Sequence, residues 1–182
     1  MKNGSDVWKG LLAGLAGGAC GTLAMTAFQN GWSKLSESWE SENKQSRPEE
    51  MQREFREQDR PEEPENATVK AAEKISKGLL HREIPPGLKQ KAGAAVHFGF
   101  GTIMGGVYGV ATEVAPAIRK GYGLSYGAAL FLGADELAVP ALGLSKPANQ
   151  APLATHLYAL VSHLVYGAST ELVRRGVRSV LA

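Results

Sequence analysis

The chain of 182 residues has one cysteine, Cys20, and four histidines. One cysteine excludes an intrachain disulfide and any metal site made of several thiolates. Cys20 also fails as a lipid-anchored cysteine, since Gly17 rather than an aliphatic residue stands three positions before it. A buried small residue is the expectation. Excess charge of one sign is missing as well. The 20 Lys and Arg are dispersed and offset by 18 Asp and Glu, so the sequence carries no footprint for nucleic acid. It has no Gly-rich phosphate loop after a strand, no Gly-x-Ser-x-Gly elbow and no Ser-His-Asp order. A non-enzymatic chain without cofactor or metal is therefore expected.

What is present is unevenly distributed. The mean hydropathy of −0.17 averages two unlike populations. Residues 33–91 hold 12 of the basic and 13 of the acidic residues, leaving 8 and 5 for the remainder. That remainder is mostly Ala, Gly, Leu and Val in four apolar segments, the signature of an integral membrane protein. The expected spans are residues 8–29, 92–117, 124–144 and 153–173, each near the roughly 20 residues that cross a bilayer as a helix. Lys2 and Lys9 before the first apolar run also fit a cleaved leader. Its length and its packing glycines favour a retained helix. Trp8 and Trp32 bracket the first span, and Tyr122, Tyr126 and Tyr158 stand near span ends, where interfacial aromatics belong. Pro140 is expected to kink the third span.

Val107-Tyr-Gly-Val-Ala-Thr-Glu113-Val114 recurs as Val165-Tyr-Gly-Ala-Ser-Thr-Glu171-Leu172, with His97 and His156 upstream of the two copies. Gly10-Leu-Leu-Ala-Gly14 is similarly echoed by Gly123-Leu-Ser-Tyr-Gly127. The fold expected is all-α: a four-helix integral membrane bundle of two related helix hairpins, with a pseudo-twofold axis along the membrane normal. Lys2, Lys9, Arg119, Lys120, Arg174, Arg175 and Arg178 share one side against Lys146 on the other, which puts both termini in the cytoplasm of a bacterial inner membrane. Residues 33–91 then form a long extramembrane loop. Ser36–Asn66 reads as solvated helix or disorder, and residues 67–81 as an amphipathic helix on the membrane surface.

Gly10, Gly14 and Gly18, Gly101, Gly105 and Gly109, and Gly123 with Gly127 recur every four residues, which permits close helix packing within one chain or between copies. Thr22, Thr26 and Gln29 form a polar stripe expected to make interhelical hydrogen bonds.

The ionisable residues inside the spans need a partner or a cavity, because charge at the bilayer centre costs several kcal/mol. At about 1.5 Å per residue, Asp135 and His163 lie about 16 and 14 Å from their cytoplasmic ends. One of Asp135 and Glu136 is expected to face His163, since adjacent helix residues point about 100° apart. With His97 and His156 these residues make a candidate intramembrane polar network. The metal alternative lacks a tight ligand spacing. Glu113 and Glu171 fall at helix C-termini, where negative charge opposes the macrodipole. Arg119 and Lys120, and Arg174 and Arg175, are their expected ion-pair partners.

Val96-His97, Thr112-Glu113-Val114-Ala115-Pro116, Val139-Pro140-Ala141-Leu142-Gly143-Leu144 and Ser162-His163-Leu164-Val165, followed by Glu171-Leu-Val-Arg174-Arg175, resemble the YagU-like family of small bacterial inner-membrane proteins over residues 92–178. The resemblance implies a multi-span protein without an established activity and a link to acid tolerance. The chain departs from that pattern in its longer, more charged first loop and in Asp135-Glu136.

The leading functional expectation is a non-enzymatic scaffold or accessory subunit in the lipid bilayer, packing through glycines as a homo-oligomer or on a membrane protein partner. The alternative is proton or ion conduction, or an acid-stress response, through the intramembrane His and carboxylate residues. A membrane metalloenzyme is the third reading.

Overall fold

A computed structural model describes residues 4–45, 67–145, 147–150 and 152–181, and among these every regular element is helical. Residues 46–66, the most charged part of the expected loop, lie outside the described residues, as do Lys2 and Lys146 of the charge-asymmetry argument.

Helix α1 spans Gly4–Gln45 and runs well past the expected end at residue 29. Its apolar face stops there, but Glu, Lys, Gln and Leu keep the helix favourable and no proline intervenes before Pro48. Ser33, Ser36 and Ser38 donate back to the carbonyls of Asn30, Ser33 and Leu35. Helix α2 spans Ala67–Ile75 and ends in a wide turn over Ser76–Leu80, matching the amphipathic segment in extent. Helix α3, Lys89–Val114, stops three residues short of the expected boundary. The residue before a proline is pushed out of helical geometry, and Ala115, preceding Pro116, adopts φ −128° and ψ 83°.

Helix α4 begins at Leu124–Leu130 and continues through wide turns over Phe131–Ala138 into Val139–Ala141. Pro140 is the cause. It has no N–H for the Glu136 carbonyl, and its ring would strike that carbonyl in a regular helix. The chain widens instead, so that Val139 N–H donates to Ala134, five residues back. The expected effect of Pro140 thus takes the form of wide turns over Phe131–Ala138. Helix α5, Leu153–Val180, extends two turns beyond the expected residue 173 and carries three arginines with it.

Helix α1 packs against both α3 and α5, α4 packs on α5, and α2 lies on α3. Glycine sets these contacts by letting backbones meet. A Cβ on Gly109 would stand 2.7 Å from the Gly14 Cα, and one on Gly18 would stand 2.8 Å from the Gly105 Cα. On the other side of α1, a Cβ on Gly17 or Gly21 would strike the backbone of Thr170 or Tyr166. The α4–α5 contact repeats the pattern, with Gly123 and Gly127 against Gly167 and the His163 carbonyl.

The interior mixes apolar side chains such as Met25, Leu130 and Phe131 with polar and charged ones. Thr22, Thr112, Ser162 and Thr170 are fully enclosed, and Glu113, Glu171 and Arg174 are buried, whereas Leu23, Ile103, Val107, Leu132, Leu137 and Leu172 face outward. Cys20 also lies on the exposed face, correcting the expectation that it is buried. Thr22 and Thr26 donate within their own helix, to Gly18 and Thr22, instead of between helices. Among the described residues, two helices are long and apolar enough to cross a membrane, Asp6–Ser38 and Pro86–Val114.

Gly105→Leu is expected to destabilise the chain by about 2–3 kcal/mol, as overpacking of a tight contact does. Gly99 on the same helix meets nothing within 4 Å, and Gly99→Leu should stay within about 0.5 kcal/mol of wild type. Equal losses in detergent unfolding would contradict backbone contact as the basis of α1–α3 packing.

Candidate functional site: a cavity lined by histidine and carboxylate

The wide turn of α4 presents Asp135 and Glu136 in succession, and helical rotation sends them to different histidines of α5. His156 Nδ1 donates to Glu136 Oε1 at 2.6 Å, which assigns the proton to that nitrogen. Two turns along α5, His163 Nδ1 donates to the Ala159 carbonyl at 2.9 Å and stands 3.7 Å from Asp135 Oδ2. Glu136 is thus closed by a short hydrogen bond. Asp135 has only the longer approach of an imidazole already engaged with backbone.

These four side chains and His97 of α3 line one cavity of about 620 Å³. Its remaining wall is mostly apolar, including Met25 of α1, Phe100 of α3 and Leu130 of α4, with Thr22 and Gln29 from the polar stripe. The cavity therefore joins all five members of the expected polar network. Among the described residues, no three of His, Cys, Asp and Glu gather as a metal ion requires.

Helix α2 closes one side of the cavity with Ala67, Ala71 and Ile75. Val69 and Ala72 are buried, and Gly93 of α3 lies against Val69. Lys74 Nζ donates to the Leu142 carbonyl at 2.5 Å, and Lys89 Nζ reaches Glu73 at 2.6 Å. The Lys89 hydrogen bond holds the Glu73 carboxyl below its ordinary range. The buried part of the amphipathic segment's apolar face, Val69 and Ala72, is covered, with Val69 on α3, whereas Leu79 and Leu80 stay exposed.

Tyr166 forms the cavity floor, its hydroxyl donating to the Gly101 carbonyl at 2.7 Å. Beyond it, Tyr126 lies 6.0 Å from Tyr166 and stacks on Tyr108 at 4.2 Å between ring centroids. Tyr126 is thus an interior residue and not the interfacial aromatic expected. Tyr158 does group with Phe28 and Trp32, tying the middle of α1 to the first turns of α5.

Past the tyrosines lies the rim. Arg174 contacts both oxygens of Glu171, at 2.6 and 2.9 Å, and Arg175 adds a third bond at 2.6 Å. Glu113 draws on Arg178 at 3.0 Å and Arg119 at 3.5 Å. Arg178 continues to Asp6 at 3.2 Å. Arg119 also donates to the Thr112 carbonyl, offsetting the exposed acceptors at the end of α3. Lys120 takes no part in these pairs. Asp6 and Arg178 are the residues that sequence reading left out of the cluster. Their signal was spacing: Arg178 lies one turn past Arg174, and Asp6 one turn before Gly10, the residue that packs on Gly109 and Glu113.

Residues 88–172 match a family described as Protein of unknown function (DUF1440), a little under half of the chain. The match takes in α3 and α4 and includes His97, Asp135, Glu136, His156, His163 and both rim glutamates, but not α1 or the arginines after Glu171. No curated protein and no solved structure matches the chain.

Arg174→Gln leaves Glu171 buried with one arginine and is expected to cost about 3–5 kcal/mol, the range for breaking a buried pair. Arg178→Gln should cost less, because its partners keep water or Arg119. Chemical unfolding in detergent checks the order; equal and small losses would show that the rim pairs carry no stability. A second expectation concerns pH. A lowered carboxyl pKa contributes stability above its range and loses it as pH falls through that range. Acidification, or Glu73→Gln at neutral pH, should therefore raise α2 hydrogen exchange after correction for intrinsic rates. Unchanged protection would remove the Glu73–Lys89 tether from the account.

Proposed function

We propose that this chain is a YagU-like multi-span protein of the bacterial inner membrane, with both termini cytoplasmic, that takes up protons in an intramembrane cavity and conducts or responds to them under acid conditions. Four helices, α1 and α3 to α5, form two related hairpins. Support comes from the outward-facing leucines and enclosed polar residues, and from the matching packing of the repeats. Gly10 meets Gly109 and Glu113, while Gly123 meets Gly167 and Glu171. The two Tyr-Gly-x-x-Thr-Glu phrases bury the same residues: Tyr108 with Tyr166, Thr112 with Thr170, Glu113 with Glu171.

The observation that carries the reading is Asp135. It faces an apolar cavity 3.7 Å from His163 and, among the described residues, accepts no hydrogen bond, whereas its neighbour Glu136 is held at 2.6 Å by His156. An unsatisfied carboxylate at such depth is costly, and a proton is the smallest species that relieves it. Imidazole is the side chain whose ordinary charge change lies nearest neutral pH, and three of them, His97, His156 and His163, line this cavity.

The glycine contacts favour this reading over a scaffold that packs on a partner. Gly10, Gly14, Gly18, Gly101, Gly105 and Gly109 are consumed inside the chain, as are Gly123 and Gly127, and none of these stripes is left for a partner.

Proteoliposomes with an interior pH dye test the proposal. Acid outside should acidify vesicles holding the wild-type chain faster than protein-free vesicles. Asp135→Asn combined with His163→Gln should return the rate to that of protein-free vesicles. Equal rates for the wild-type chain and the double variant would eliminate this function.

A further inference from the structure

Proton uptake engages the carboxylates and imidazoles but leaves most of the cavity without a role. A proton path needs a file of polar groups. About 620 Å³ enclosed mainly by apolar side chains is the size and character of a small-molecule site. We propose that the cavity binds a small organic cation with one positive charge and an apolar body, with Asp135 as its counter-ion. The proposal rests on the reading that Asp135 ionises in this cavity.

Charge and wall chemistry select the class. The groups facing Asp135 are His163 of α5, His97 of α3 and Glu136 of its own helix, with His156 beyond, bound to Glu136. From α2, Lys74 is turned to the Leu142 carbonyl. Helix α1 contributes Thr22, Met25 and Gln29 to the wall, none of them charged. With the imidazoles neutral the cavity is anionic, and Asp135 is the carboxylate left without a hydrogen bond. An anion is repelled. A neutral apolar guest fills the space but strips water from a half-exposed carboxylate that it cannot pair, which is costly. A metal ion needs several ligands to replace its water, and among the described residues no three of His, Cys, Asp and Glu gather to hold one. A bulky ammonium or phosphonium ion is weakly hydrated, matches the apolar wall and supplies the missing charge.

Site and proton then compete for one group. The cation binds ionised Asp135, and acid releases it.

Equilibrium dialysis of the full chain in lipid nanodiscs against tetraphenylphosphonium tests this. Saturable binding of one cation per chain is expected, weakening as pH falls. Asp135→Asn should lower affinity by about tenfold or more, the loss on removing a buried charge partner. Asp135→Glu keeps the charge and should retain binding, so a loss in Asp135→Asn is separated from a folding defect. The neutral analogue triphenylphosphine oxide should not displace the cation. Unchanged affinity in Asp135→Asn, or equal displacement by the neutral analogue, would overturn the proposal and mark the cavity as a groove for lipid tails. Dialysis uses no proton gradient, so proton flux without cation binding sinks this inference alone. Cation binding without flux sinks the preceding function and leaves the site.

Discussion

The backbone contact of α1 with α3 and α5 is the constraint from which the rest follows. Gly14 and Gly18 sit against Gly105 and Gly109 on one side, and Gly17 and Gly21 against Thr170 and Tyr166 on the other. No side chain can be inserted there, so the axial register of three helices is set by main chain. That register places Asp6, one turn before Gly10, beside Arg178 and Glu113. It also sets Met25, Thr22 and Gln29 of α1 opposite α4 and α5, where the cavity opens. Helix α4 lacks any comparable contact with α1 and is held chiefly by α5, which leaves the space.

The second determinant is Pro140. By widening the helix before it, the proline shapes the segment carrying Asp135 and Glu136, and the two carboxylates meet different imidazoles seven residues apart on α5. One is closed and one is open. On the proposed four-span reading this asymmetry separates the roles: Glu136–His156 is a sealed pair that holds α4 to α5, and Asp135 is the titrating group. The rim shows the opposite design, with Asp6, Glu113 and Glu171 each met by arginine.

Much of this was legible in the sequence because it follows from helical spacing. The glycines at four-residue intervals, the duplicated Tyr-Gly-x-x-Thr-Glu phrase, the Glu171–Arg174–Arg175 triad and the amphipathic stretch after residue 67 are all local patterns. Matching the depths of Asp135 and His163 needed only the rise per residue. What stayed hidden depends on tertiary rotation. Thr22 and Thr26 bond within their helix, although Thr22 lies buried against Gly101 of α3. Tyr126 points inward because Gly123 and Gly127 bring α4 close to α5. Docking of α2 over the cavity depends on Gly93 admitting Val69, and no periodicity within residues 67–81 encodes that. The end of an apolar face is not the end of a helix: α1 runs on past residue 29 to Gln45 through residues that favour helix.

The central claim is that Asp135 changes protonation inside the cavity. Infrared difference spectroscopy of the chain in lipid, recorded between neutral and acidic pH, tests it most directly. The account predicts a protonated-carboxyl C=O band that grows on acidification, that Asp135→Asn abolishes and that Glu136→Gln leaves in place. The same band persisting in Asp135→Asn, or no carboxyl band at any pH at which the chain stays folded, would contradict it.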